Sequence, residues 1–211
     1  MAQRRLDARA LHDWAHAAVG DLLVHTDEIN GLNVFPVPDA DTGTNMLFTM
    51  RAALAEAQHA VAAGDVAQVV SALARGALNG ARGNSGVILS QILGALADVT
   101  AQAAADTHPD TALADIDAAL LGAGLRHAVV RVVEAMGGDL VAGTVVSVLQ
   151  AAAEAVERCG ADGAGLDRAL ADAGEAASAA LEATPGQLAV LAEAGVVDAG
   201  GRGLLVLLDA L

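Results

Sequence analysis

Along most of the chain apolar residues recur every three or four positions, with charged or small polar residues between them. That is the period of helices with one buried face. Leu11, Trp14, Ala15, Ala18, Leu22 and Ile29 mark a first helix over 6–29, and Asn30-Gly31 ends it. A second helix is expected over 43–63, stopped by Gly64, and Asp65 is placed to cap a third that reaches Leu78. Val87, Ile88, Leu89, Ile92 and Leu93 begin a buried fourth helix. A loose connector follows over 101–109, and Asp110 or Thr111 starts a fifth helix reaching Met136. Gly137-Gly138-Asp139 breaks that helix. A sixth opens at Val141–Thr144 and runs to Arg158, and a seventh spans 166–182. Thr184-Pro185 reads as a cap followed by a proline at the first helical position, starting a short helix over 185–194. Gly195 stops it, Val196-Val197 is briefly extended, and Asp198–Gly203 launches a last apolar segment.

Short connections make consecutive helices antiparallel neighbours. The second, fourth and sixth helices then start at one end of an all-α antiparallel bundle, and the seventh ends there. The short helix can lie across that end, and the last segment descends from it. Four glycine-containing helix starts thus converge by parity: Asp39–Thr44, Gly83–Gly86, Gly143-Thr144 and Asp198–Gly203. Converging N-termini concentrate free N–H groups and positive dipole ends, which suit a phosphate.

Composition narrows the chemistry. Hydrophobic residues make up 55% of the 211 residues, yet Trp14, Phe35 and Phe48 are the only aromatics, which favours closely packed helices rich in alanine and leucine. Mean hydropathy is +0.48, but the most apolar candidate, Gly86–Val99, is interrupted by Ser90 and Gln91, so no membrane span is expected. The N-terminus lacks the apolar core of a signal peptide, and the chain reads as soluble and cytoplasmic. A net charge of −15 argues against nucleic acid and anionic membranes as partners. A single cysteine, Cys159, excludes an internal disulfide and a cysteine zinc cluster. His12 and His16 share a helix face without carboxylate-rich company, and read as an ordinary face. All 11 basic residues are arginines. The lysine of a P-loop or of a protein-kinase fold is therefore missing, and any ATP site here must use metal, backbone N–H groups or arginine.

Two stretches carry the candidate chemistry. In Asn33–Met46 (NVFPVPDADTGTNM), two prolines stiffen the entry, and Asp39 and Asp41 follow at i and i+2. In an extended segment such residues point to one side and can face one cation, beside a helix start at Gly43 capped by Thr42 or Thr44. An ordinary Asp/Thr helix cap is the competing reading. In Asn79–Gly86 (NGARGNSG), glycines admit close backbone approach and the N–H groups of Ser85 and Gly86 are available to a ligand; Ser85 or Asn84 as a plain cap is the alternative. Arg82 reads as a rim residue, and Arg202 carries no preference.

The stretches NVFPVPDADTGTNM, NGARGNSGVILSQ, Gly143-Thr144 and TPGQLAVLAEAGVVDAGGRG, in that order, resemble the N-terminal kinase domain of bacterial fatty acid kinases, which is related to the nucleotide-binding L domain of dihydroxyacetone kinases. The resemblance covers nearly all of 1–211. It implies one antiparallel eight-helix barrel that binds ATP or ADP with two Mg²⁺ at one end. It implies Asp39 and Asp41 as the catalytic Mg²⁺ ligands, with Asn33 a looser third. Thr42, Thr44, Asn45 and Met46 would form the nucleotide wall, and Gly83, Asn84, Ser85 and Gly86 the phosphate loop. Gly143 and Thr144 would reach the nucleotide, and Asp198, Ala199 and Gly200 would close the site. The implied reaction moves the γ-phosphoryl of ATP to a fatty acid held by a separate carrier protein. Two departures stand out. Ala40 replaces the glycine usual between the aspartates, and is strained if that position needs a positive φ. The middle and C-terminal domains of such kinases are also absent, so the chain is either an excised domain or a short member. Thr42 stands where the dihydroxyacetone branch has histidine, which favours the fatty acid branch. A nucleotide-binding module without turnover is the remaining rival. Homodimerisation is open from the residues.

Overall fold

The computed structural model describes residues 5–106 and 112–211. Within them the chain forms α1 (Ala8–Gly31), α2 (Thr42–Ala57), α3 (Val66–Gly80), α4 (Gly83–Asp106), α5 (Ala118–Ala135), α6 (Val145–Ala161), α7 (Leu166–Gln187), α8 (Ala189–Ala194) and α9 (Ala199–Asp209). A 3₁₀ turn covers Val61–Ala63. Two short strands, β1 (Leu6–Asp7) and β2 (Asp115–Ile116), pair antiparallel, with Leu6 opposite Ile116.

Each helix from α1 to α7 packs on the next, and α9 returns against α1, α6 and α7 to close the ring. Eight helices thus form an antiparallel barrel, and the six-residue α8 packs on α7 as an end piece. Buried alanines, among them Ala15, Ala18, Ala53, Ala77, Ala128, Ala152 and Ala177, let the helix axes approach closely. Leu22, Leu73, Leu93 and Leu149 fill the interior, where each fully buried leucine contributes roughly 1.5–3 kcal/mol. Trp14 lies along the inner wall and donates its indole N–H to the Leu207 carbonyl at 2.9 Å, tying α1 to α9.

Several boundaries differ from the sequence expectations. Leu6 belongs to β1, and Asp7 caps α1 by accepting from Ala10 N–H. The second helix stops at Ala57; the 3₁₀ turn and Gly64, at φ +67°, complete the descent. The fourth helix begins at Gly83, with Asn84 and Ser85 in its first turn, and runs through Asp106 where a connector was expected. Asp110 and Thr111, the expected start of the fifth helix, lie outside the described residues; that helix starts at Ala118 with Asp117 as its cap. The seventh helix continues through Pro185 to Gln187, so Thr184-Pro185 starts nothing. The reason is local. Proline cannot donate to the carbonyl four residues back, and the Thr184 hydroxyl donates to that carbonyl, Leu181 O, at 2.7 Å. By length and composition α4 also qualifies as a membrane span, contrary to expectation; here it is a barrel wall between α3 and α5.

Candidate functional site

The four helix starts expected to converge do converge. Gly83, at φ +56°, sits against the Asn45 side chain, so a Cβ there would strike the amide, and the Ser85 hydroxyl lies 3.5 Å from that of Thr42. These contacts join the starts of α2 and α4. Gly200 packs against Val145, and Gly203 against Met46, bringing in α6 and α9.

The α1–α2 loop is anchored from below. The Asn30 amide donates to the Thr44 hydroxyl at 3.0 Å and accepts from Thr44 N–H at 3.1 Å, so it satisfies one of the free donors of the first turn of α2. A Cβ on Gly43 would come within 2.6 Å of the Thr26 carbonyl, so glycine is what lets α2 start so close to α1. Sequence reading took Asn30 only as a stop signal; its side-chain role depends on a residue fourteen positions away.

Asn33 is buried and donates to Asp39 Oδ1 at 2.7 Å, which orients that carboxylate. Ala40 has φ +54°, so the strain conditional on a positive φ is present. Asp41 occupies the N-cap position of α2, yet its side chain makes no cap hydrogen bond. Thr42 and Thr44 are helical residues and not the cap. Asp39 and Asp41 line one small cavity with Asn33, Phe35, Thr42, Gly83, Asn84 and Ser85. Among the described residues no group of three or more His, Cys, Asp or Glu side chains is arranged to hold a metal. The oxygen atoms this cavity would offer a cation are the Asp39 and Asp41 carboxylates, with Asn33 behind them. Hard oxygen donors with an uncommitted carboxylate fit Mg²⁺.

A second, mostly apolar hollow adjoins the first at Ser85 and is lined by Met46, Ile88, Val145, Gly200 and Leu204. Gly143, at φ +80°, packs beneath Thr184 and Leu188. The Thr144 hydroxyl is buried, donating to Val141 O at 2.8 Å and accepting from Val146 N–H at 3.4 Å, so it caps α6. Asp198 accepts from Gly201 N–H at 2.7 Å and caps α9, while its own N–H donates to Thr184 Oγ1 at 3.1 Å. Burial pushes its carboxyl up to about 6, against the opposing pull of the Gly201, Val145 and Gly200 N–H groups. Asp198 thus braces α6, α7 and α9 at the site end. Ala199 is buried beside it, and Thr184, absent from the sequence-derived site, is its support.

The two open arginines resolve differently. Arg202 turns to α1, where Nε donates to Glu28 Oε1 at 2.6 Å beside His25, and this bond lowers the Glu28 carboxyl below its usual range. Arg82 lies over the Phe48 ring, 4.4 Å from its centroid.

Comparison with known proteins places this arrangement. Over 205 residues the chain is 37% identical to protein YloV of Bacillus subtilis, covering 97% of this chain and 35% of that one. It is 34% identical to an uncharacterised protein of Staphylococcus saprophyticus, covering 96% of this chain and 34% of the other. The chain therefore spans about a third of the length of these relatives. In structure it is similar to the dihydroxyacetone kinase of C. freundii in complex with AMP-PNP and Mg²⁺, with a TM-score of 0.65 at 20% identity over 99% of this chain and 34% of that chain. The native form of that enzyme gives 0.66 at the same identity over 96% of this chain. The two share the helical barrel. The DAK2 domain profile matches residues 36–211, from the first of the two prolines before the aspartate pair to Leu211, just past α9, and the chain belongs to the DAK2 domain family.

Proposed function

We propose that this domain binds Mg-ATP where α2, α4, α6 and α9 start, and serves as the nucleotide half of a kinase that phosphorylates the carboxylate of a fatty acid delivered by a separate carrier protein. The observation that carries the reading is Asp41: a carboxylate at a helix N-cap that makes no cap hydrogen bond and shares a cavity with Asp39. Asp39, Asp41 and, less directly, Asn33 would hold Mg²⁺, two ions by the family resemblance. The AMP-PNP and Mg²⁺ bound by the C. freundii enzyme of the same fold support that assignment. The bound metal would neutralise charge on the transferred phosphoryl group. Free N–H groups at the starts of α2 and α4 would take phosphate oxygens, with Thr42, Thr44, Asn45, Gly83, Asn84, Ser85 and Gly86 around them. The Gly86 N–H, expected to be available, is instead given to Arg82 O at 2.9 Å, and the Thr44 N–H to Asn30, so neither is among the free donors. The hollow at Met46, Val145 and Gly200 would take apolar parts of the nucleotide, flanked by Gly143, Thr144, Asp198 and Ala199. A carboxylate acceptor is already ionised near neutral pH, so no general base is required, and the candidate residues include no histidine.

Asn33 holds Asp39 in place, and Asn30 and Gly43 set the depth of the loop. The relatives are about three times longer, so acceptor binding is assigned to domains beyond this chain and to the carrier. The second reading, an L subunit acting on dihydroxyacetone, is supported by the shared barrel and opposed by Thr42. The test is calorimetric titration of Mg-ATP into the wild type and the Asp41→Ala and Asp39→Ala variants. An acyl-phosphate assay of a full-length relative follows, with a fatty-acid-loaded carrier or dihydroxyacetone as acceptor. Undiminished nucleotide binding by both variants refutes the metal assignment. Turnover of dihydroxyacetone alone refutes the carboxylate acceptor.

A further inference from the structure

Arginine is the chain's only source of side-chain cations besides histidine, in a molecule of net charge −15. Among the described residues Arg5, Arg9, Arg75, Arg126, Arg131, Arg168 and Arg202 each face a carboxylate. Arg51, Arg82 and Arg158 form no such ion pair among the described residues, though the charge of Arg158 still acts on Asp172. Arg158 lies in the last turn of α6, at the far end, where a cation complements the helix dipole. Arg51 and Arg82 instead share one ring: their guanidinium carbons are 5.8 and 4.4 Å from the Phe48 centroid. Phe48 is 38% exposed on α2, as one of only three aromatic residues in the chain.

The backbone of Arg82 is fixed on both sides. Its N–H donates to Thr49 Oγ1 at 3.3 Å, and its carbonyl accepts from Gly86 N–H at 2.9 Å. The next three residues, Gly83, Asn84 and Ser85, line the cavity that holds Asp39 and Asp41. A guanidinium laid on a ring face keeps its in-plane N–H groups free. Among the described residues no carboxylate forms an ion pair with Arg82, although Asp and Glu outnumber arginine 26 to 11 in the chain. A purely solubilising cation in so acidic a chain would be expected to find a counter-ion, as seven others have.

We propose that Arg82, laid over Phe48 with Arg51 beside it, is an oxyanion-binding residue of the barrel mouth, taking either a nucleotide phosphate or the acceptor carboxylate next to the Asp39/Asp41 cavity. The inference rests on the Mg-ATP reading. The acceptor and the γ-phosphoryl group are both anions and must meet in a strongly acidic molecule. A fixed cation at the rim offsets that repulsion where the metal does not reach. Phe48 holds the guanidinium ready, which lowers the entropy lost when it binds.

The experiment titrates Mg-ATP into the wild type and the Arg82→Ala, Arg82→Lys and Phe48→Leu variants, with Arg75→Ala as a control for loss of one positive charge. Circular dichroism checks the fold, and the same substitutions go into a full-length relative for turnover. Weaker Mg-ATP binding in Arg82→Ala by about tenfold or more, partly restored in Arg82→Lys and unchanged in Arg75→Ala, supports a phosphate ligand. Unchanged Mg-ATP binding with a similarly raised KM for the acceptor supports the carboxylate. Phe48→Leu is expected to shift the same parameter in the same direction by less. If neither parameter moves in Arg82→Ala, the proposal is overturned. If the wild type binds no Mg-ATP, the nucleotide reading fails instead. Titration with inorganic tripolyphosphate, read at the Arg82 Nε–H resonance, then decides: a saturable shift supports oxyanion binding and a flat response overturns it.

Discussion

The two ends of the barrel use the same residue differently. At the far end Asp7, Asp65 and Asp117 stand before α1, α3 and α5, and each accepts from a first-turn N–H, of Ala10, Ala67 and Leu120. At the other end Asp41 stands before α2 and accepts from none, while the Asn30 side chain meets one of that helix's donors from outside. Asp198 occupies an intermediate position: it caps α9 as the far-end aspartates cap theirs, but is almost wholly buried and braces two further helices. A cap with a satisfied carboxylate stabilises its own helix. A carboxylate left uncommitted above open N–H groups is available to a cation, and the N–H groups to an anion.

The sharpest way to break this contrast is to remove Asp41. Asp41→Ala is expected to lower Mg-ATP affinity at least about 100-fold, since a coordinating charge is lost, and to leave the thermal midpoint within a degree or two because no cap is lost. A large drop in the midpoint with intact binding would make Asp41 an ordinary cap. Asp198 comes next. Its folded-state value near 6 lies above that of the unfolded chain, so between about pH 4 and 6 the folded state keeps a proton that the unfolded state has lost. Stability from this group is present at the acid side and is lost as the pH rises through 6, by up to about 3 kcal/mol. Asp198→Asn is expected to flatten the pH dependence of unfolding over that window, measured by urea melts, whereas Asp198→Ala loses the brace and destabilises by about 1–3 kcal/mol.

Smaller effects follow at the far end. Asp65→Ala and Asp117→Ala should each cost about 1 kcal/mol in urea unfolding and leave Mg-ATP affinity unchanged, the reverse of the Asp41 pattern. The smallest is Ala40→Gly. Relief of a left-handed alanine, partly offset by the greater freedom of glycine when unfolded, should stabilise by no more than about 1 kcal/mol. That is a few degrees in Tm for a domain of this size. A fall in Tm would show that the loop tolerates Ala40 without strain.

Legibility from sequence follows the range of the interaction concerned. The helix series could be read because burial on one face repeats locally, and Asp65 could be named as a cap because a cap bond spans two or three residues. Parity alone puts Asp39–Thr44, Gly83–Gly86, Gly143-Thr144 and Asp198–Gly203 at one end, because short connections leave little choice of direction. Pro185 misled because the hydroxyl of its neighbour supplies the missing bond, a substitution invisible to pattern rules. Asn30 and Thr184 escaped because their partners lie fourteen residues away.

By itself, then, the sequence determined the helical class, the order of the elements, the absence of lysine and the spacing of two aspartates after two prolines. These depend on composition and local period. Only the tertiary structure decided which aspartates cap and which stands free, that Arg202 is bound to Glu28 while Arg82 rests on Phe48, and that Ala40 takes a left-handed turn. Each is settled by what a neighbouring helix brings within a few ångströms, and helix packing is a property of the closed barrel.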